Sequence, residues 1–182
     1  MERIKKRKLI LPFFIIFTMV FSVLSFSLFN TSSSSSSISE YKGHKFRSVN
    51  NVWVTNINGN EVVIFNDPNS LDIDIDGFTT KSINKLYLSR NPPGSIINEL
   101  RGLGNLIPFS DIGFVDSCFE DIEGCEDFPL KSCADAIGDV GVFEVEISEN
   151  NKIERKGNCL KIEGDRVFII KVIDRVILDA LL

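Results

Sequence analysis

NKLYLSRNPPGSIINELRGLGNLIPFSDIGFV, residues 84–115, passes from extended to helical character and back. It opens with Asn84-Lys-Leu-Tyr-Leu-Ser89, whose aliphatic and aromatic side chains suit an extended strand. Asn91-Pro92-Pro93-Gly94 then breaks the chain, because proline donates no N–H and biases the preceding residue away from the helical region. Ser95 is placed to cap a helix over residues 96–101, with Glu99 near its positive end. Ile96, Leu100, Leu103 and Ile107 recur at helical spacing and give one apolar face. Gly102 and Gly104 weaken the end of that helix, Pro108 follows, and residues 112–115 resume as a strand. Strand, helix, strand at this spacing predicts a right-handed βαβ unit.

Upstream, residues 45–65 read as a β-hairpin. Phe46, Val49, Val52, Trp53 and Val54 favour the outgoing strand and Val62, Val63, Ile64 and Phe65 the return. Between them Asn58-Gly59 is a strong hairpin signal, since both residues tolerate positive φ. Trp53, the only tryptophan, is expected in the core, where its ring buries a large area. Leu71-Asp72-Ile73-Asp74-Ile75-Asp76-Gly77 has two readings. As a calcium loop, Asp72, Asp74 and Asp76 would converge on a cation and Gly77 would permit the turn, but Ile83 occupies the twelfth position, where an EF-hand places glutamate. As a strand, Leu71, Ile73 and Ile75 would point inward and the aspartates into water.

Downstream, residues 116–133 read as irregular, 140–147 and 159–162 as strands, and 153–155 as a weak extra strand. A helix starts near Gly164-Asp165. Lys171, Asp174, Arg175 and Asp179 form its polar stripe, and aliphatic residues cover the rest. That apolar cover is broad for a helix with one wet side, which suggests packing between the sheet and a partner. Glu144, Glu146, Glu149, Glu154 and Glu163 read as solvated strand faces.

The cysteines are Cys118, Cys125, Cys133 and Cys159, with no C-x-x-C pair, so neither a zinc knuckle nor a thioredoxin-like redox pair is indicated. Outside the cytoplasm, four cysteines read as two structural disulfides with three possible connectivities. Cys118–Cys125 with Cys133–Cys159 is favoured, the first closing a local loop and the second tying the last strand unit to its return strand. A four-thiolate zinc site is the alternative, at atypical spacing.

The compartment is read from the other end of the chain. Residues 9–29 form a run of 21 without charge; as a helix this is roughly 30 Å long, about the thickness of a bilayer's hydrocarbon core. Five basic residues precede it, so the tip stays in the cytoplasm and the remainder goes outside. The length favours an uncleaved anchor; Ser25 and Ser27 would serve the rival reading, a cleaved signal peptide. Ser32–Ser37 makes the following segment a solvated tether. Asn30-Thr31-Ser32 fits a glycosylation acceptor but abuts the bilayer, where a transferase has poor access.

The chain has 182 residues and a net charge of −5. The basic tip hides a more acidic remainder of −9, with 15 basic against 24 acidic residues. That argues against nucleic-acid binding, which needs a basic surface. A single histidine, His44, excludes any site needing two imidazoles. No G-x-S-x-G, Walker loop, G-x-G-x-x-G or H-E-x-x-H occurs, and no catalytic residue, cofactor or metal ligand is assigned.

Lys131-Ser132-Cys133-Ala134-Asp135, Gly157-Asn158-Cys159-Leu160-Lys161-Ile162-Glu163-Gly164 and Lys171-Val172-Ile173-Asp174-Arg175 resemble a group of uncharacterised archaeal proteins. So do Tyr41-x-Gly-x-Lys45-Phe46, Trp53-x-Thr55 and Lys85-Leu86-Tyr87. The resemblance covers most of residues 41–182 and implies a small single-pass membrane protein with an outward α+β domain, without a known activity. It also implies pairing of Cys133 with Cys159.

The expected architecture is an α+β domain with a mixed, mainly antiparallel sheet (an N-terminal β-hairpin and one βαβ-like unit) and a C-terminal helix. The expected organisation is a cytoplasmic tip (1–8), a transmembrane anchor (9–29), a Ser-rich linker (30–40) and an extracytoplasmic domain (41–182). The first functional expectation is a non-enzymatic protein-interaction or envelope-assembly subunit, with a protein partner or as a homo-oligomer. The alternatives are a surface hydrolase using acidic residues or a metal, and a calcium- or solute-binding module.

Overall fold

The computed structural model describes residues 17–19, 37–75, 78, 80–92 and 96–182. The basic tip, most of the apolar run 9–29, the serine tract to residue 36, Asp76, Gly77, Thr79 and Pro93-Gly94-Ser95 lie outside the described residues. Phe17-Thr18-Met19 is helical. Among the described residues no helix is long and apolar enough to cross a membrane. The chain divides into two compact units, Met1–Ser35 and Ser36–Leu182.

The architecture of the second unit is α+β, with two sheets where the sequence suggested one. The first is an antiparallel meander of β1 (Ile38–Tyr41), β2 (His44–Val49), β3 (Val52–Ile57) and β4 (Asn60–Ile64). Each of its turns has two residues. Asn58 and Gly59 turn at φ of 51° and 86°, as their sequence suggests, but Asn50 and Asn51 (50° and 65°) and Lys42 and Gly43 (47° and 81°) do the same. Positive φ at both positions gives a twist that matches the flanking strands, so the single expected hairpin becomes three. β1 also takes residues assigned to the linker. The Ser39 hydroxyl is not solvated there: it donates to Asp67 at 2.7 Å and accepts from the Asn69 amide at 2.8 Å.

The second sheet has strand order β6-β5-β7-β9-β8, with β5 (Lys85–Arg90), β6 (Gly113–Ser117), β7 (Val140–Ile147), β8 (Lys152–Lys156) and β9 (Cys159–Gly164). Three of its four pairings are parallel and only β8–β9 is antiparallel, which corrects the expectation of a mainly antiparallel sheet. The reason is visible in β7, whose Gly141–Val145 segment is buried. A parallel strand covered on both faces carries apolar residues on both faces. The segment 71–75 is not a strand: Leu71 and Ile75 are buried and Asp72 and Asp74 exposed, but it has no ladder partner among the described residues.

Between β5 and β6 runs a short helix α1 (Ile97–Leu100) that continues as a nine-residue 3-10 helix, Arg101–Phe109. The expected regular helix tightens here. Gly102 lies so close to the C-terminal helix that a Cβ would stand 3.2 Å from Ile177 Cδ1 and 3.3 Å from Ile173 Cγ2. Asn105 fixes the tightened turn. Its Nδ2 donates to the Gly102 carbonyl at 2.7 Å and to the Val63 carbonyl at 2.8 Å, while its Oδ1 accepts from the Val63 N–H at 3.1 Å. That side chain thus bonds the outer edge of β4 as a further strand would.

The C-terminal helix α2 (Arg166–Leu181) starts where expected, capped by Asp165, whose side chain accepts from the Phe168 N–H at 2.8 Å. Its breadth of apolar residues is used within the chain. It packs on the 3-10 helix, α1 and β9, and from Phe168 to Leu182 no residue is exposed. Asp174 is not on a wet stripe but fully buried. Its Oδ2 accepts from the Phe65 N–H at 3.0 Å, the Asn66 N–H at 2.8 Å and the Asn66 side chain at 2.7 Å, so it serves the chain just past β4.

Burial pushes the Asp174 carboxyl above its ordinary value, against the pull of the Asn66 and Phe65 donors. The folded carboxyl therefore keeps its proton to a higher pH than the unfolded one. Its contribution is most favourable at the acidic end and diminishes as pH rises above about 4 through the raised value. Asp174→Asn retains an acceptor for the three donors and should stay within about 1 kcal/mol at neutral pH, whereas Asp174→Ala strands two backbone N–H groups and should cost about 3 kcal/mol. In denaturant unfolding from pH 4 to 7, the stability of wild type relative to Asp174→Asn should fall as pH rises; a flat difference would mean that the buried carboxyl does not titrate in this way.

Candidate functional site

Every polar side chain in the second sheet belongs to one of two faces. Register places Ser117, Ser89, Glu144 and Lys161 in one row across β6, β5, β7 and β9. In a parallel ladder such a row shares a face. A row of hydroxyls, carboxylate and ammonium cannot be covered by aliphatic residues, because each buried polar group needs a partner. The irregular segment 118–139 supplies partners for Ser89 and Glu144, while the buried Ser117 hydroxyl has none among the described residues. The Ser89 hydroxyl donates to the Lys131 carbonyl, and the Cys133 N–H donates to Glu144 Oε2 at 3.2 Å. Glu144 is thus buried under this segment and not on a solvated face. Lys161 pairs with Glu163 at 3.1 Å and Glu144 at 3.2 Å, and these carboxylates, Glu163 first, hold its ammonium above the ordinary lysine range against some desolvation.

Both ends of the segment are tied. Cys118 is bonded to Cys125, with Cα atoms 6.0 Å apart, and Cys133 to Cys159, with Cα atoms 5.2 Å apart. Among the described residues no cysteine is free and no group of three or more metal-ligating side chains occurs. Between the two bridges, the Cys118 N–H donates to the Pro129 carbonyl at 3.1 Å and the Lys131 N–H to the Cys118 carbonyl at 2.7 Å. Ser132 and Asp135 cap a short 3-10 turn at Cys133–Asp135. The Ser132 N–H, then Lys131, hold the Asp135 carboxyl below its ordinary value.

What this braced segment presents outward is unusual. Two successive turns, Cys125 N–H to the Ile122 carbonyl and Phe128 N–H to the Cys125 carbonyl, each 3.0 Å, make a knuckle. Ile122, Phe128, Leu130 and, at 74% exposure, Ile137 stand in solvent. Around them are Glu120, Asp121, Glu123, Glu126 and Asp127, with no basic residue between Cys118 and Leu130. The backbone N–H groups of Glu126 itself and of Gly124 hold the Glu126 carboxylate below its ordinary value.

The opposite face of the sheet carries a cavity of about 280 Å³ beside the 3-10 helix. Arg90, the last residue of β5, and Asp116 of β6 line it, with Arg101 and the apolar Leu88, Leu103 and Phe114. Arg90 Nη2 donates to Asp116 Oδ1 at 2.8 Å. This arginine is not foreseeable from the sequence, because a single cation at a strand end carries no pattern.

The remaining sequence candidates are dispersed. His44 is half-buried at the start of β2, opposite Tyr41. Trp53 is partly buried against the core. Asp72 and Asp74 are exposed, and Asp76 lies outside the described residues. Comparison with protein-family models, with curated proteins and with solved structures finds no match.

The two bridges differ in what they hold. The Cys118–Cys125 bond closes a loop of 8 residues and the Cys133–Cys159 bond one of 27. By chain entropy these are worth about 2.5 and 3.5 kcal/mol. Replacing Cys133 and Cys159 together by serine should therefore cost about 1 kcal/mol more in urea unfolding than replacing Cys118 and Cys125. The reverse order would contradict the seating of the segment through Cys133.

Proposed function

We propose that this chain is a membrane-tethered, extracytoplasmic protein that works by protein contact, through the segment between Cys118 and Ile137, on a partner with a basic surface. The observation that carries the reading is the knuckle itself. Two disulfides and two turns hold Ile122, Phe128 and Leu130 in water. Isolated exposed apolar residues are ordinary, but several on one braced segment are characteristic of interaction sites.

The five surrounding carboxylates select the partner's charge. They disfavour an anionic membrane surface, and they disfavour a second copy of the same acidic knuckle, because like charges brought together cost free energy. The two disulfides support an oxidising compartment, in which such bonds persist. The uncharged run 9–29 and the basic residues before it support the tether. The broad apolar cover of the last helix gives no support to an interface, since α2 uses it inside the domain.

A photo-reactive residue placed at Phe128 or Leu130 of the full chain, in its native membrane, should give an adduct heavier than the 20.4 kDa chain. The same probe at Val167, exposed on α2, should give none. Glu120→Lys with Glu123→Lys should lower the adduct yield by about threefold or more, the size of one lost charge contact. Absence of an adduct, equal labelling from Val167, or an adduct of twice the chain's mass would each contradict the proposal.

A further inference from the structure

The cavity at Arg90 lies on the face away from the knuckle and asks for a separate explanation. Its position is the first clue. The helical connection from β5 leads to β6 on one side, while β7 pairs with β5 on the other. The strand order therefore reverses at β5. The crevice at that reversal lies between β5 and β7; the cavity lies beside it, between β5, β6 and the helical connection that joins them. Arg90 is the carboxyl-terminal residue of β5, and Asp116 is one residue short of the end of β6.

The second clue is the state of the arginine. Arg90 is 2% exposed. Asp116 takes one N–H of Nη2, but Nε and Nη1 are buried with no acceptor among the described residues. Leaving such donors unmet is costly, so a cationic fork walled in by leucine and phenylalanine side chains is stable with an acceptor in the cavity. Charge then limits that acceptor. Asp116 offsets Arg90, and Arg101 forms no ion pair among the described residues. The lining thus has one net positive charge. Asp116 beside the fork repels a second negative charge, and the apolar walls favour a hydrocarbon body over a hydrated ion. At about 30 Å³ for each water, its share of the liquid, 280 Å³ corresponds to roughly nine waters, room for a small organic molecule.

We infer that this cavity binds a small organic monocarboxylate, whose entry turns the buried Nε–Nη1 edge of Arg90 to the carboxylate, with its apolar body against Leu103 and Phe114. Entry is past Ile107, which is 60% exposed at the rim.

The test is titration of the full chain in lipid nanodiscs with phenylacetate, phenylacetamide and phenyl phosphate, followed by ligand-observed NMR. Phenylacetate should bind about tenfold or more tighter than the uncharged amide, the size of a charge-assisted contact. Phenyl phosphate should bind more weakly than phenylacetate. Arg90→Lys keeps the charge and loses the fork, and should weaken phenylacetate about tenfold. Ile107→Asp alters only an exposed side chain, and should weaken it several-fold through repulsion at the rim even if the Arg90 variant does not fold. Equal binding of acid and amide, no binding at all, tighter binding of the phosphate, or indifference to Ile107→Asp would each overturn the inference. None of these outcomes bears on adduct formation at Phe128, which reports on the other face.

Discussion

Cys133 is fastened to the sheet twice, by its sulfur to Cys159 on β9 and by its backbone N–H to Glu144 on β7. The rest of the outer segment depends on this seat. The face beneath it carries Ser89, Ser117, Glu144 and Lys161 in register, and such a row is stable under cover only where hydrogen bonds replace those of water. The covering segment is polar backbone rather than helix, so it meets Ser89 and Glu144 directly, while Lys161 pairs with carboxylates of the sheet itself. In return the sheet fixes where the segment stands, and with it the exposed Ile122, Phe128 and Leu130.

A comparable exchange joins the two sheets. Among the described residues the outer edge of β4 has no strand beside it. Asn105 bonds both backbone groups of Val63, and Asp174 receives the two N–H groups that follow at Phe65 and Asn66. Side chains from the helical layer thus end the antiparallel sheet where a fifth strand would otherwise pair, and they leave the parallel sheet to form from the second half of the chain. Close approach at Gly102 lets the 3-10 helix and α2 share that layer. This arrangement shows where the apolar cover of α2 is used within the chain.

Local chemistry was legible wherever a residue type has one conformational use. Asn58-Gly59 specified its hairpin, Gly164-Asp165 the start of the last helix, and the apolar runs at 140–147 and 159–162 their strands. Lys42-Gly43 and Asn50-Asn51 make the same turn, but the lysine and the second asparagine reach positive φ because the strands impose it, which no dipeptide pattern announces. In the second sheet the βαβ reading gave the parallel β5–β6 pair, but the parallel direction of β7 and β9 was not legible, because it is set by pairing between separate segments. The carboxylates were misread for one reason: Glu144 and Asp174 have the spacing of solvated side chains and are buried by donors eleven and more than a hundred residues away. Arg90 was invisible for the same reason, since its partner Asp116 and its apolar walls meet only in the folded chain.

The domain therefore has two faces with different chemistry: a braced, acidic, apolar-tipped segment on one side of the parallel sheet, and a cationic cavity on the other. Both depend on the order of the strands, but only the first depends on oxidation. Its most direct test is alkylation of the full chain, freshly isolated from its native source without reductant, followed by peptide mapping. Cys118, Cys125, Cys133 and Cys159 should all be protected, with one linked peptide joining Cys133 to Cys159. Free thiols at Cys133 and Cys159 would show that the outer segment is not seated on the sheet through this bridge.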